Sequence, residues 1–204
     1  MALLSMIHAT AGFAGLASGL AIMIMPNKGN RTHKKMGTLY FTSMGFSSML
    51  SVIMSVQLNH PIFLSIGGFT LYMLLAAYLS LPVRFEKLKK LFYPLALVGI
   101  ACGMYVIYTG IIFLVVFGAL QLLLVLQDLR MIWSKKTSAL ELVRSHARKM
   151  AGSFIAATTA FGVNVIFTGN AWWHWMLPTI LIVPQIFVWN YQLCKKKSPL
   201  TTKG

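Results

Sequence analysis

The chain has 204 residues, of which 18 are Lys or Arg and 3 are Asp or Glu, so its formal net charge is +15. Hydrophobic residues make up 57 % and charged residues only 10 % of the sequence, well below the roughly 25 % of charged residues in soluble domains. This composition excludes a soluble globular domain, and a mean hydropathy of +0.73 leaves too little exposed surface for a basic nucleic-acid-binding face. With 2 Cys residues, a disulfide framework and a Cys-based metal site are excluded as well.

Long apolar runs predict an all-α polytopic membrane protein. A helix needs about 20 apolar residues to cross a bilayer, and the runs 37–81, 91–133 and 150–194 are too long for one crossing. Each run contains a turn signal near its middle, namely Asn59-His60-Pro61, Thr109-Gly110 and Gly169-Asn170. We therefore predict a transmembrane domain over 1–194 with seven spans, at about 2–25, 37–58, 62–81, 91–109, 111–133, 150–168 and 172–194. A short basic tail, 195–204, follows and is expected to be disordered.

The positions of the basic residues predict the orientation. All 18 Lys and Arg lie between spans 1 and 2, 3 and 4, or 5 and 6, or after span 7. By the positive-inside rule these segments are cytoplasmic, so the amino terminus lies outside and the carboxyl terminus in the cytoplasm. We expect a multi-pass protein of the inner membrane whose basic loops contact anionic lipid headgroups. The first helix lacks a preceding basic stretch and is interpreted as a retained span.

Few charged residues are expected inside the membrane. Asp128 is the only acid well placed in a span, and we interpret it as a juxtamembrane residue paired with a basic loop. All lysines lie at predicted helix ends, which argues against a retinal Schiff base. The string Ser138-Ala139-Leu140-Glu141 is a capping box and predicts a helix that begins there, with His146 near the inner surface.

Two histidines, His33 and His146, are predicted at the cytoplasmic ends of the second and sixth spans. Helical spacing places small or weakly polar residues below each of them, including Tyr40, Ser51, Ser153 and Asn164. A neutral imidazole at a helix amino terminus can bind a metal, and the neighbouring cations, Arg148 among them, suit a phosphate or a porphyrin propionate. Contact with lipid headgroups alone is the alternative.

The other histidines lie toward the outside. His8 precedes Gly12, Gly15 and Gly19 on one helix face, a pattern that serves close helix packing or leaves room for a flat cofactor beside an imidazole ligand. His174 shares a helix with Pro178, Pro184 and Gln185, and this helix is expected to be kinked. Its polar residues could line a cavity or bond to neighbouring helices. His60 is interpreted as a turn residue.

Three segments resemble one known family. They are His8 with Gly12 and Gly19, the string His33-Lys34-Lys35-Met36-Gly37-Thr38-Leu39-Tyr40, and His146 to Met150 with Thr158-Thr159-Ala160. Together they resemble the predicted bacterial membrane proteins of the domain of unknown function 2306 family. The resemblance implies an inner-membrane protein whose positions of interest are His8, His33, Tyr40, His146 and Arg148, and it implies no activity.

These features leave several functions open. The first hypothesis is a membrane redox protein in which haem b or a divalent metal is held by the residues His8, His33, His146, His174, Tyr40 and Arg148, with His33 and His146 as the metal ligands. The second is a permease or channel for a small solute, with a cavity lined by Asn164, Gln185, Ser153 and Ser51. The third is a non-catalytic subunit or assembly factor that packs against partner helices or forms a homo-oligomer. A metal-dependent hydrolase is disfavoured because no carboxylate cluster accompanies the histidines.

Overall fold

The computed structural model describes residues 2–134, 137–166 and 173–195, and within these ranges all regular secondary structure is helical. This confirms the predicted all-α class. The helices are α1 (Ala2–Ile24), α2 (Arg31–Gln57), α3 (Pro61–Leu79), α4 (Pro82–Leu88), α5 (Phe92–Tyr108), α6 (Ile112–Trp133), α7 (Ala139–Phe161) and α8 (Trp173–Lys195). A 3-10 turn, Lys89–Leu91, joins α4 to α5, and a π-helical segment, Gly162–Ile166, follows α7. The predicted turn at Gly169-Asn170 and the tail beyond Lys195 lie outside the described residues.

Six described helical segments are long and apolar enough to cross a membrane. They are Ala2–Ile24, Arg31–Gln57, Pro61–Leu79, Pro82–Tyr108, Leu114–Trp133 and Ala139–Ile166. A shorter apolar stretch, Trp173–Val188, lies in α8, where the seventh span is predicted. The chain is thus a multi-pass helical membrane protein. The crossing of α8, on which the predicted orientation of the termini depends, stays a prediction.

The breaks between the first spans fall where the turn signals predicted them. Asn59 has a φ of 50° and Gly110 a φ of 70°, a left-handed conformation that cannot continue a helix. Pro61 then occupies the first turn of α3, where its missing N–H costs nothing. Local backbone chemistry therefore divides both long apolar runs.

Two helices begin earlier than the predicted spans. The side chain of Asn30 accepts a hydrogen bond of 2.7 Å from the backbone N–H of His33, so α2 begins at Arg31 rather than at residue 37. At α7 the backbone N–H of Ser138 donates to Glu141 Oε2 at 2.7 Å, and that of Glu141 donates to Ser138 Oγ at 3.2 Å. The predicted capping box is confirmed, and α7 contains eleven residues before the predicted span start at residue 150.

The loop after α1 is held by a lysine. The ammonium of Lys28 donates to the carbonyl oxygen of Ile22, and to that of Met23 at 3.1 Å, so it satisfies carbonyl groups at the end of α1. Partial burial lowers the pKa of Lys28 below its ordinary value. This basic loop residue therefore has a structural role as well as the predicted one at the lipid surface.

The chain forms two compact units, Met1–Ala157 and Thr158–Gly204, which are described separately. In the first unit α2 packs against α1 and α3, α5 packs against α6, and α3 also contacts both α5 and α6. Buried side chains of α3 to α7 form the core, among them Phe69, Met73, Phe85, Phe92, Val125 and Leu142. The second unit contains the end of α7, the π-helical segment and α8, whose interior includes Pro178 and Pro184.

Candidate functional site

The first unit contains a cleft between the carboxyl-terminal end of α6 and the amino-terminal part of α7, lined mainly by polar and charged residues. It has a volume of about 420 Å³. Its charged residues are Arg130, Arg148, Lys149, Asp128 and Glu141. Its remaining lining is formed by Leu124, Gln127, Met131, Ser134, Thr137 and Ser145. The cleft therefore has three cations and two carboxylates, an excess of one positive charge, and it attracts anions.

A buried ion pair forms the inner wall of this cleft. Lys149 of α7 makes a salt bridge with Asp128 Oδ1 of α6. Asp128 is 2 % and Lys149 3 % exposed, so both charges are almost completely removed from solvent. Asp128 lies five residues before the end of α6, which corresponds to about 7.5 Å along the helix axis. The pair therefore lies inside the helix bundle, near the carboxyl-terminal end of α6.

Neutral hydroxyl groups complete the coordination of both charges. Lys149 Nζ donates to Ser145 Oγ at 2.6 Å and to Ser80 Oγ at 3.0 Å, so with Asp128 all three of its N–H groups have acceptors. The hydroxyl of Tyr72 donates to Asp128 Oδ2 at 2.8 Å. We call these five residues, from α3, its carboxyl-terminal cap, α6 and α7, the ion-pair cluster.

The position of Lys149 corrects two sequence interpretations. Lys149 was grouped with the loop cations because the sixth span was predicted to begin at residue 150, but α7 begins at Ala139 and carries Lys149 into the bundle. The argument against a retinal Schiff base, which required all lysines to lie at helix ends, was therefore wrong. Asp128 was interpreted as the partner of a basic loop, whereas its partner is this buried helical lysine. The sequence signals that could have identified the pair are the lone intramembrane acid and the capping box, which together place one carboxylate and one lysine inside two helices.

Among the predicted site residues, only Arg148 lines the cleft. His146 lies one turn before Lys149 on α7, and its Nδ1 is 3.0 Å from the carbonyl oxygen of Ala77 in α3. His33 interacts electrostatically with His146, so these two histidines lie near each other. The buried Nδ1 of His33 has no hydrogen-bond partner within the described residues.

The predicted haem or metal donors do not assemble into a larger ligand set. In the ranges 2–134, 137–166 and 173–195 no group of three or more His, Cys, Asp or Glu residues is placed to hold a metal ion. His33 and His146 supply two imidazoles, fewer than the three or four protein ligands of typical zinc sites. Metal binding by this pair stays a prediction.

The surroundings of His8 favour helix packing over a flat cofactor. Its Nδ1 lies 2.9 Å from the carbonyl oxygen of Ser47 and 3.1 Å from Ser47 Oγ. A Cβ atom placed on Gly15 would lie 2.8 Å from Met44 Cε, and one on Gly19 would lie 2.6 Å from Phe154 Cδ2. The glycine face is thus filled by side chains of α2 and α7, and the room that a porphyrin would need beside His8 is taken.

Tyr40 and the polar residues predicted to line a cavity make other contacts. Tyr40 and Ser153 are buried, and their hydroxyl groups share a hydrogen bond of 2.7 Å that joins α2 to α7. Ser51 Oγ donates to the carbonyl oxygen of Phe63 at 3.4 Å, between α2 and α3. These residues join helices within the first unit rather than line the cleft.

The remaining predicted site residues lie in the second unit. Asn164 is exposed, and its Nδ2 donates to the carbonyl oxygen of Ala160 at 2.7 Å. Gln185 is exposed on α8, and the ring of His174 contacts that of Trp173 with centroids 3.9 Å apart. Their predicted roles as cavity-lining and cofactor-binding residues stay predictions.

Comparison with known proteins adds no relative: no protein-family model, curated protein or solved structure matches the chain. The resemblance to the domain of unknown function 2306 family therefore stays a prediction. The ion-pair cluster and the cleft are the features of the chain that point to a function.

Proposed function

We propose that this membrane protein is a permease for a small polar solute, which binds in the cleft beside Asp128 and Lys149. The observation that carries the proposal is a nearly fully buried ion pair at the wall of a cleft that combines charged and apolar side chains in a helical membrane protein. Ionisable residues inside membrane helices are rare, and they mark solute, ion or proton pathways.

Energetics support a functional role for the pair. Removing two charges from water costs several kcal/mol per ion, and replacing a buried pair with apolar side chains of similar volume is often neutral or stabilising by about 1–4 kcal/mol. A chain with 57 % hydrophobic residues could fill these positions with Leu or Met. Stability alone therefore does not account for Asp128 and Lys149.

The lining of the cleft supports solute binding. Ser145 accepts a hydrogen bond from Lys149 and also lines the cleft. Arg148, which lines the same cleft, is exposed. A small ligand would meet hydroxyl, guanidinium and ammonium donors at the inner end of the bundle, next to the apolar side chains of Leu124 and Met131. This combination of an apolar wall and a few convergent polar groups is typical of small-molecule sites. By the distribution of Lys and Arg, we place the mouth of the cleft on the cytoplasmic side of the inner membrane.

The redox and partner-subunit hypotheses have less support. A redox centre would depend on the two-imidazole set of His33 and His146, and metal analysis of the purified protein with an absorption spectrum tests it directly. A subunit role would depend on undetermined partners, and co-purification tests it. Neither hypothesis uses the ion-pair cluster.

Reconstitution into liposomes tests the permease proposal. Light scattering would follow the uptake of methanesulfonate, glycerol and tetramethylammonium, which represent small anionic, neutral and cationic solutes. We expect one class to enter faster than into protein-free liposomes. For methanesulfonate or glycerol, whose oxygens can accept from the guanidinium, Arg148→Gln should lower uptake about tenfold, because a charge-assisted hydrogen bond contributes at least about 1.5 kcal/mol. Tetramethylammonium has no acceptor, so its uptake should not fall in this variant.

Arg84→Gln is the matched control. Arg84 is also exposed at an inner helix end, but its guanidinium lies over the ring of Tyr78, 4.2 Å from the ring centroid, and outside the cleft. This variant should retain wild-type uptake. Uptake no faster than in protein-free liposomes, or equal losses in the two variants, would refute the proposal.

A further inference from the structure

We infer that the cleft binds a small monovalent oxyanion, of the carboxylate or sulfonate class, and that one proton is taken up with each anion. This inference rests on the proposed solute site and specifies its ligand and its coupling. It follows from the charge balance of the ion-pair cluster.

The cluster is neutral in the structure, and every N–H donor of Lys149 has an acceptor. Lys149 has three N–H donors and three acceptors, which are Asp128 Oδ1, Ser80 Oγ and Ser145 Oγ. Both carboxylate oxygens of Asp128 are bonded, one to Lys149 and one to the hydroxyl of Tyr72. An entering ligand must therefore displace an existing partner to reach the ammonium group.

An oxyanion is the ligand that can make this replacement. The ammonium donates and cannot accept, so its new partner must present an acceptor, and a negative charge is needed to offset the buried positive charge. Asp128 is the charged partner that an oxyanion can replace. Arg148, exposed in the same cleft, can hold a second oxygen of the anion.

The displaced carboxylate then requires a proton. If Asp128 stayed ionised beside the anion, the site would hold two negative charges against one buried ammonium, and an unpaired buried charge is strongly unfavourable. A proton on Asp128 Oδ1, the oxygen released by Lys149, removes this charge. Tyr72 can continue to donate to Oδ2, so the neutral acid keeps a hydrogen-bond partner.

The other charged groups around Asp128 do not replace the proton. Arg148 and Lys149 face it from α7, Tyr72 faces it from α3, and Arg130 lies on α6 in the same cleft. Glu141, at the start of α7, adds a second carboxylate to the lining. Arg130 and Arg148 are exposed, so solvent screens their charges, whereas Lys149 is buried with Asp128. The net change on binding is therefore one anion and one proton, with the charge of the site unchanged.

Isothermal titration calorimetry on the full chain in detergent tests the coupling. The probe is methanesulfonate, which stays ionised, so any proton taken up must bind to the protein. Titrations in two buffers of different ionisation enthalpy, both free of carboxylate and phosphate, give the number of protons. We expect one proton per anion, and an affinity that weakens about tenfold per pH unit above the pKa of the group that is protonated on binding. Absence of methanesulfonate binding, or binding without proton uptake, would overturn the inference.

Two variants locate the proton. Asp128→Asn mimics the protonated acid, so it should bind methanesulfonate without proton uptake and with little pH dependence. Glu86→Gln is the matched control, since Glu86 is an exposed carboxylate outside the cleft that pairs with Lys89 at 2.7 Å, and it should retain one proton per anion. Proton uptake that persists unchanged in Asp128→Asn would overturn the assignment of the proton to Asp128. If this variant fails to fold, the number of protons taken up per anion by the wild-type protein still decides whether binding is coupled to protonation.

Liposome measurements separate the two proposals. If methanesulfonate binds with one proton but does not enter liposomes faster than in the protein-free control, the permease function fails and the coupled site stands. If methanesulfonate enters liposomes while a pH-sensitive dye inside records no accompanying protons, the permease stands and the coupling fails.

Discussion

The interface between α1 and α2 is built from small residues, whereas the contact among α3, α6 and α7 is built around two charges. At the first interface Gly15 and Gly19 allow close approach, and His8 bonds to Ser47. At the second, Lys149 and Asp128 are buried together. Small-residue packing is a common and sufficient way to join membrane helices. The comparison shows that α1 and α2 pack closely without buried charges, which supports a role for the ion pair beyond helix packing.

The largest effect is expected from breaking the ion pair. Lys149→Met leaves the Asp128 carboxylate buried without its cation and should lower the free energy of unfolding by about 3–5 kcal/mol. The double variant Asp128→Leu with Lys149→Met should recover most of this loss, because both charges are removed together. Denaturant titration in detergent measures both variants. A double variant as unstable as the single one would mean that the pair itself stabilises the fold.

A smaller loss is expected from Tyr72→Phe, which removes the hydroxyl that donates to Asp128. A hydrogen bond to a charged acceptor contributes about 1.5–3 kcal/mol, so the unfolding free energy should fall by that amount. Tyr40→Phe is the matched control, since it removes a buried hydrogen bond to the neutral Ser153 and should cost about 0.5–1.5 kcal/mol. Equal losses in the same denaturation assay would argue that Asp128 is not ionised in the resting protein.

The small-residue interface is tested by Gly19→Ala. The new Cβ would lie 2.6 Å from Phe154 Cδ2 and 3.0 Å from Tyr40 Cε2, so both rings must move, at a cost of about 1–3 kcal/mol. Gly45→Ala is the control, because no heavy atom lies within 4 Å of a Cβ at that position of α2. The control should be neutral or stabilising by about 0.5–1 kcal/mol, as expected for Ala in a helix. A neutral Gly19→Ala would show that α1 is not held closely against these rings.

The smallest effect is expected from Ser47→Ala at the same interface. Ser47 Oγ donates to the carbonyl oxygen of His8 at 3.1 Å, while the His8 ring retains the Ser47 carbonyl as a partner. Hydrogen bonds between membrane helices contribute about 0.6 kcal/mol on average, so the loss should be of that size. A loss as large as that of Tyr72→Phe would remove the contrast between the two interfaces.

Much of the fold was predictable because its causes are local. The turns at Asn59-His60-Pro61 and Thr109-Gly110 and the capping box at Ser138 each depend on a few adjacent residues. The position at which α7 becomes buried was harder to predict than its start, since a capped helix can enter the bundle before its apolar segment begins. The predicted span began at residue 150, so the eleven helical residues 139–149 were left outside it, and Lys149 was not recognised as a buried residue.

The sequence by itself determined that the chain is a multi-pass helical membrane protein, because hydropathy, turn residues and caps act within one helix length. It also predicts that His33 and His146 lie at the same end of the bundle. Only the tertiary structure decided that Lys149 meets Asp128 and Ser80, and that Asp128 accepts a hydrogen bond from Tyr72, which lies 56 positions away in the sequence. Such contacts depend on the rotation of each helix about its axis, which side-chain packing between helices determines and which no single segment encodes.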